Sequence, residues 1–144
     1  MHIELLILRL LHVVGGAMWF GAGFASMIWF SPAITAAGPA AAPAIMAVFQ
    51  KRRMLQIMPL IALVTVLSGL RLLWIVSNGY SAAYFATPMG HAYAIAGGLG
   101  LFAFIFGAFV ARRRAMQGKF GAMYAANVML GLSMFGMAIA RYVN

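Results

Sequence analysis

Four long apolar stretches leave this chain few folds other than a bundle of membrane-spanning helices. These stretches cover approximately residues 4–30, 54–77, 91–111 and 120–142. A helix needs about 20 predominantly apolar residues to cross the hydrocarbon core of a bilayer, and each stretch reaches that length. Because backbone groups inside a bilayer must be hydrogen-bonded within the protein, each stretch is expected to be a helix. The pattern therefore predicts an all-α integral membrane protein, a four-helix bundle forming a single domain over residues 1–144.

The amino-acid composition excludes most classes of soluble protein. Hydrophobic residues make up 65% of the 144 residues and charged residues 8%, whereas ordinary soluble domains contain roughly 25% charged residues. The first apolar stretch is too long for the core of a signal peptide, so we expect it to remain as a helix. The lack of cysteine excludes disulfides, thiolate-bound metals and iron–sulfur clusters. Glu4 is the single acidic residue, which excludes a catalytic pair of carboxylates.

The distribution of basic residues predicts how the helices are oriented. Seven of the ten lysines and arginines lie in the first and third connections, at 51–53, 112–114 and 119. The second connection, 78–90, carries no charge. By the positive-inside rule the two basic connections face the cytoplasm, so both termini face outward. We therefore expect a multi-pass protein of a bacterial inner membrane, and we attribute the net charge of +9 to topology and not to nucleic-acid binding.

The second helix is predicted to begin before its apolar span. Pro43 suits the first turn of a helix, and the residues from Ala44 to Arg53 then lead without a break signal into the span. This helix would extend into the cytoplasm, and Pro59 would kink it inside the membrane.

His12 lies inside the first apolar stretch, where an ionisable side chain is costly and marks a functional site by default. On a helix, Arg9, Gly15, Gly16 and Trp19 share its face. The imidazole would thus lie between a cation and an aromatic ring, above a glycine surface against which a flat ligand could lie. Small residues also bring membrane helices close together, so the same pattern fits plain packing.

Further polar residues occur in the outer halves of the other helices. Arg71 lies in the second span, Arg141 in the last turn of the fourth, and His91 begins the third, with Gly98 seven residues further along. Two histidines on different helices, glycine faces and arginines near the surface fit b-type haem, with imidazoles as axial ligands and arginines paired with propionates. Because His91 lies nearer the surface than His12, the alternative is that His12 alone ligates the iron and His91 serves a propionate.

Copper is the alternative cofactor. Twelve methionines and three histidines supply the soft and borderline ligands that Cu(I) accepts. Met89, Gly90 and His91 form the one compact candidate, whereas the other methionines are scattered, and Met18 lies on the opposite face from His12. Methionine is also an ordinary filler of apolar packing, so most of the twelve need no metal.

His12 followed seven residues later by Trp19 and Phe20, with flanking glycines, resembles the first helix of the HemJ and CopD families of small bacterial membrane proteins. The resemblance covers roughly residues 8–110, in a four-helix unit. Outside the first helix it continues through Lys51-Arg52-Arg53, Pro59, Gly69 and His91.

This resemblance implies two kinds of activity. HemJ proteins bind b-type haem and oxidise protoporphyrinogen IX, and CopD proteins are associated with copper uptake. By the resemblance His12 is the haem ligand and His91 is the second polar position. The HemJ pattern has a lysine two residues after that histidine, where this chain has Tyr93. This departure disfavours the oxidase activity and leaves haem binding unaffected.

These observations favour a haem protein that acts in electron transfer or haem-dependent redox chemistry near the outer face. The predicted metal ligands are His12 and His91, and the predicted cofactor-binding residues are Arg9, Gly16, Trp19, Arg71, Tyr93, Gly98 and Arg141. The alternatives are a HemJ-like protoporphyrinogen IX oxidase, a CopD-like copper transport protein and a cofactor-free accessory subunit of a membrane complex. The expected partners are the lipid bilayer and a quinone, a porphyrin or a redox protein. We also expect the chain to form a homo-oligomer or to be a subunit of a larger complex.

Reporter fusions test the predicted orientation. Fusions after Arg53 and after Lys119 should report a cytoplasmic location, and a fusion at Tyr84 an external one, because the first two sites follow basic connections. Alkaline phosphatase and a fluorescent protein, which are active on opposite sides, give the measurement. An external reporter at Lys119 would contradict the orientation.

Overall fold

The computed structural model of the chain describes residues 2–38, 40–117 and 119–142. Within these ranges all regular secondary structure is helical. Four helices are long and apolar enough to cross a membrane: Ile3–Ala37, Gln56–Val76, Pro88–Ala115 and Gly121–Ala140. The prediction of an all-α, multi-pass membrane protein with four spans is confirmed at this level. The first and third helices are longer than predicted.

The first helix continues through a local widening. It consists of α1 (His2–Ala25), a π-helical segment here called π1 (Ser26–Phe30), and α2 (Ser31–Ala37). Pro32 lies in the first turn of α2. In a regular α-helix the proline ring would clash with the carbonyl four residues earlier, and a π-helical turn relieves such an interruption. The helix therefore runs on into residues that were predicted to form a connection.

The second helix is divided in two at its basic turn. The stretch predicted to be helical, 44–53, is helical as far as Lys51, in a helix that begins before the predicted start, α3 (Ala41–Lys51). The helix that follows, α4 (Met54–Val76), is separate. Arg53 adopts a left-handed conformation with φ of 54° and caps the start of α4. Since a left-handed residue cannot belong to a right-handed helix, the predicted continuous extension of the second helix is interrupted here. Pro59 lies inside α4, as the sequence indicates.

The next connection contains a tight turn and a short helix. Residues 78–80 all have positive φ, which turns the chain after α4. One turn of helix follows, α5 (Ala82–Phe85), and then α6 (Pro88–Phe106). The Thr87 hydroxyl accepts a hydrogen bond from the Gly90 N–H at 3.0 Å, so threonine caps the start of α6.

The third helix, like the first, contains a π-helical segment near the end that carries the basic residues. α6 passes through π2 (Gly107–Ala111) into α7 (Arg112–Met116), and α8 (Gly121–Ala140) returns through the bundle. We call the end with the basic residues at 51–53 and 112–114 the basic end. The opposite end, where α1 begins and α5 lies, is called the loop end.

Neighbouring helices run antiparallel in an up-down-up-down bundle. The closest pairs are α1 with α4 and α6 with α8. The two pairs meet where α1 contacts α8 and where α4 contacts α6. Across the first of these contacts, Asn127 Nδ2 donates to the Gly23 carbonyl at 3.0 Å and the Tyr124 hydroxyl to the Met27 carbonyl at 3.2 Å. Because α1 packs on α4 and α8, and α6 packs on the same two helices, α1 and α6 lie diagonally across the bundle. They point in the same direction.

Small side chains fill the contacts between helices, and large apolar side chains face outward. The buried residues include Ala96, Ala103 and Ala140, whereas Phe109 and Phe135 are 69% and 66% exposed. In a bilayer the lipid chains cover such outward side chains, and small residues let helices approach closely. The distribution is that of a bundle built for lipid.

Gly100→Leu should weaken the contact between α6 and α8. A Cβ at Gly100 would lie 2.8 Å from Ser133 Oγ, which already donates to the Ala96 carbonyl at 2.6 Å. Overpacking of this kind costs about 1–3 kcal/mol. The control is Gly97→Leu, because a Cβ there meets nothing within 4 Å. Unfolding of the purified protein by a denaturing detergent gives the measurement, and equal stability of the two variants would contradict the packing described.

Candidate functional site

His12 lies in the contact between α1 and α4. Its Nδ1 is 2.8 Å from the Thr65 carbonyl oxygen. A Cβ at Gly69 would lie 2.5 Å from His12 Cε1, so the imidazole occupies space that only glycine leaves open. One turn further along α1, a Cβ at Gly15 would collide with the Thr65 hydroxyl. The glycine surface predicted beside His12 is therefore packed against α4.

The Thr65 carbonyl determines the state of the imidazole. A carbonyl oxygen only accepts hydrogen bonds, so Nδ1 of a neutral His12 must carry the hydrogen and Nε2 must carry the lone pair. Metal-binding histidines commonly use one ring nitrogen in this way, donating to a backbone carbonyl while the other binds the metal. The Ser68 hydroxyl shares its one hydrogen between the Val64 carbonyl, at 2.7 Å, and the Thr65 carbonyl, at 3.0 Å. The imidazole is thus held in one orientation and one tautomer.

The face of α1 that was predicted to bind the cofactor contacts two different helices, α4 and α6. Gly16, like Gly15, faces Thr65, with 3.6 Å between the position of a Cβ and Thr65 Cγ2. Trp19 instead contacts Phe104 of α6 edge to face, with ring centres 6.1 Å apart. The structure therefore places Gly16 with His12 and directs Trp19 across the bundle.

Arg71 is paired with the single acidic side chain. Its Nε and Nη2 lie 3.0 and 2.7 Å from Glu4 Oε1, and its guanidinium lies 4.4 Å from the centre of the Trp74 ring. Both members of the ion pair are 45% exposed, and in water such pairs contribute about 0–1 kcal/mol. The pair joins α1 to α4 at the loop end, and it gives Arg71 an anionic partner within the chain.

His91 and Tyr93 lie at the start of α6, close to the loop that contains α5. His91 is exposed and Tyr93 is half-buried. The Tyr84 backbone packs against Gly90. Burial raises the pKa of the Tyr84 phenol and the neighbouring Tyr93 raises it further, so this group stays neutral at physiological pH. Among the described residues no hydrogen-bond partner is found for the buried Tyr84 hydroxyl.

The contact between Trp19 and Phe104 fixes the relative height of α1 and α6. Both helices point the same way, so counting back seven residues from each ring places His12 level with Gly97. His91 lies six residues nearer the loop end, about 9 Å along the axis at 1.5 Å per residue. The imidazole of His12 packs on α4, whereas His91 is exposed. By this count the two predicted ligands lie at different heights in the bundle, and whether both bind one metal stays a prediction.

The remaining predicted residues lie on the outside of the bundle. Arg9 on α1 and Arg141 at the end of α8 are exposed. A Cβ at Gly98 would meet nothing within 4 Å, so this glycine presents an open surface and does not face His12. Whether these residues contact a cofactor stays a prediction.

A cavity of about 210 Å³ lies between the two helix pairs, toward the basic end, and it was not predicted from the sequence. Its walls come from both π-helical segments, from α4 and α8, and from the first turn of α7. Trp19 and Phe104 lie at the inner end and Arg112 at the basic end. The sequence signal was weak, because alanines and glycines on four helices read as packing until the helices are assembled.

Comparison of this chain with protein-family models, with curated proteins and with solved structures finds no match. The function of the chain is therefore inferred from the residues and geometry described above.

Replacing Gly69 tests how His12 is seated. Gly69→Ala should lower the free energy of unfolding by about 1–3 kcal/mol, because the methyl group displaces the imidazole. In the double variant His12→Ala, Gly69→Ala the methyl group has room, so the loss caused by Gly69→Ala should be smaller than in the parent. Gly97→Ala serves as the control, since a Cβ there is unobstructed. Additive effects of His12→Ala and Gly69→Ala would show that the two residues are not in contact.

Proposed function

We propose that the chain is a b-type haem-binding protein of a bacterial inner membrane, with both termini outside. In this proposal it acts in electron transfer or haem-dependent redox chemistry near the outer face. The observation that supports it is the hydrogen bond of 2.8 Å between His12 Nδ1 and the Thr65 carbonyl, inside a span. This bond leaves Nε2 as a lone-pair donor in a fixed orientation, which is what an axial ligand requires.

The positions of His12 and His91 fit a haem iron held by one protein ligand better than an iron held by two. His12 is oriented by Thr65, whereas His91 is exposed and lies about 9 Å nearer the loop end, by the rise of 1.5 Å per residue. We therefore assign His12 as the single protein ligand of the iron. A bound haem would supply one-electron redox chemistry, and this chain would supply the axial nitrogen and the orientation of the ring.

The loop end supplies groups for the polar edge of the cofactor. Arg9 lies one turn from His12 toward this end, and Arg141 ends α8 at the same end. Both guanidinium groups are exposed and suit propionates, with which they would form charge-assisted hydrogen bonds. Arg71 is less suited, because Glu4 already neutralises it. The Tyr84 hydroxyl is a further neutral donor at this end.

A HemJ-like oxidase activity is not part of the proposal. Tyr93 stands where the HemJ pattern has a lysine, and a phenol does not replace an ammonium group as a cation. The electron partner belongs to the classes predicted above, namely a quinone, a porphyrin or a redox protein.

Haem content of matched variants tests the proposal. The purified wild type should contain haem b, and His12→Ala should lose it, because a methyl group cannot replace an axial nitrogen. The double variant His12→Ala, Gly69→Ala should also lack haem, although it should regain packing between α1 and α4. Reduced absorption spectra and the iron content per chain give the measurement.

The same preparations separate the alternatives. Full haem content in His12→Ala would refute the assignment of His12. Copper in place of iron would support the CopD-like transport function, and a colourless, metal-free wild type would support the cofactor-free accessory subunit.

A further inference from the structure

We propose that the cavity at the basic end holds an acyl chain of an anionic phospholipid, with the phosphate bound by Arg112. Of the residues predicted to bind the haem, Trp19 lines the inner end of this cavity, whereas neither His12 nor His91 lines it. Lipid binding at the cavity can therefore be tested independently of haem binding.

The length of the cavity matches one leaflet of a bilayer. On the third helix its lining runs from Ala103 to Ala115. Twelve residues span about 18 Å at 1.5 Å per residue, and half of the hydrocarbon core is about 15 Å. The cavity reaches the middle of the bundle, where Trp19 and Phe104 close it edge to face. A lipid chain that enters from the basic end would thus extend along the whole cavity.

Most of the wall is apolar, although Ser26 and Ser31 also line it, and two irregular segments shape it. Both π1 and π2 contribute lining residues, and π-helical turns are frequent at functional sites. Gly107 and Ala108 leave room where larger side chains would fill the space. The amide of Asn127, which also lines the cavity, is already engaged by the Gly23 carbonyl. The lining therefore suits a hydrocarbon chain and not a small polar solute.

The charge at the basic end selects an anion. Arg112 lines the cavity and is followed by two further arginines in α7. The single acidic side chain of the chain, Glu4, is bound to Arg71 at the loop end, so no acidic side chain offsets these cations. Basic pockets between membrane helices bind anionic lipid head groups in this way.

The same charge disfavours a metal cation. Met54, Met58 and Met123 line the cavity, and thioethers are ligands that Cu(I) accepts. A cation that enters would pass Arg112 without any anionic ligand to compensate its charge. Methionine also adapts its shape readily to irregular apolar partners, which suits a lipid chain.

Native mass spectrometry of the full chain tests the proposal with two lipids of identical acyl chains, phosphatidylglycerol and phosphatidylcholine. The wild type should bind phosphatidylglycerol more tightly, and Arg112→Gln should reduce that preference about tenfold, since a charge-assisted hydrogen bond is lost. Arg113→Gln removes the same charge from a residue outside the lining and should change the preference by less than about twofold, as a screened surface charge does. Inorganic phosphate, which has no chain, should not bind measurably.

A second pair of variants tests the position of the acyl chain. Gly107→Leu should fill the cavity and weaken binding of both lipids, because a Cβ there is 3.9 Å from Ala126 Cβ and the added side chain occupies the cavity. Gly21→Leu, at an exposed position of α1 where a Cβ meets nothing within 4 Å, should leave binding unchanged. Equal lipid preference in Arg112→Gln and Arg113→Gln would overturn the proposal. Stoichiometric Cu(I) binding that is lost in Met58→Leu and that displaces lipid would overturn it as well.

Discussion

Close approach of antiparallel helices through small side chains is the interaction on which the rest of this structure depends. Ala96, Gly100 and Ser133 bring α6 and α8 together, and Gly15 and Gly69 do the same for α1 and α4. Lipid offers no hydrophobic gain for burying large apolar residues, so van der Waals contact and interhelical hydrogen bonds stabilise the pairs. Where the two pairs meet less closely, the space between them forms the cavity.

The same close approach seats His12. The imidazole enters the contact between α1 and α4 because residue 69 has no side chain, and the Thr65 carbonyl then accepts its Nδ1 hydrogen. Packing and ligand orientation are therefore not competing accounts of this residue, since the packed helix supplies the hydrogen bond that directs Nε2. A polar group inside a span is costly. In the proposed function, binding of the haem iron would offset this cost for the His12 imidazole.

Much of the fold was predictable from the sequence, because apolar length determines spans and the positions of charges determine their ends. The helical interruptions were not predictable: the left-handed Arg53 and the two π-helical segments depend on how neighbouring turns relax and not on residue type alone. Helical spacing placed Gly16 on the face of α1 that bears His12, and in the structure this glycine faces Thr65 of α4. The spacing could not show that α4 covers that face, that Glu4 reaches Arg71, or that Gly98 points outward, because each depends on which helices become neighbours.

The proposed function depends most on His12, which would hold a b-type haem as the single protein ligand of its iron. The most direct test is the absorption spectrum of the dithionite-reduced wild-type protein before and after addition of carbon monoxide. We expect a haem b spectrum that shifts on addition of carbon monoxide, because an iron held by His12 alone would bind this ligand readily. A spectrum that carbon monoxide leaves unchanged would show two protein ligands, and a preparation without haem absorption would contradict the proposed function outright.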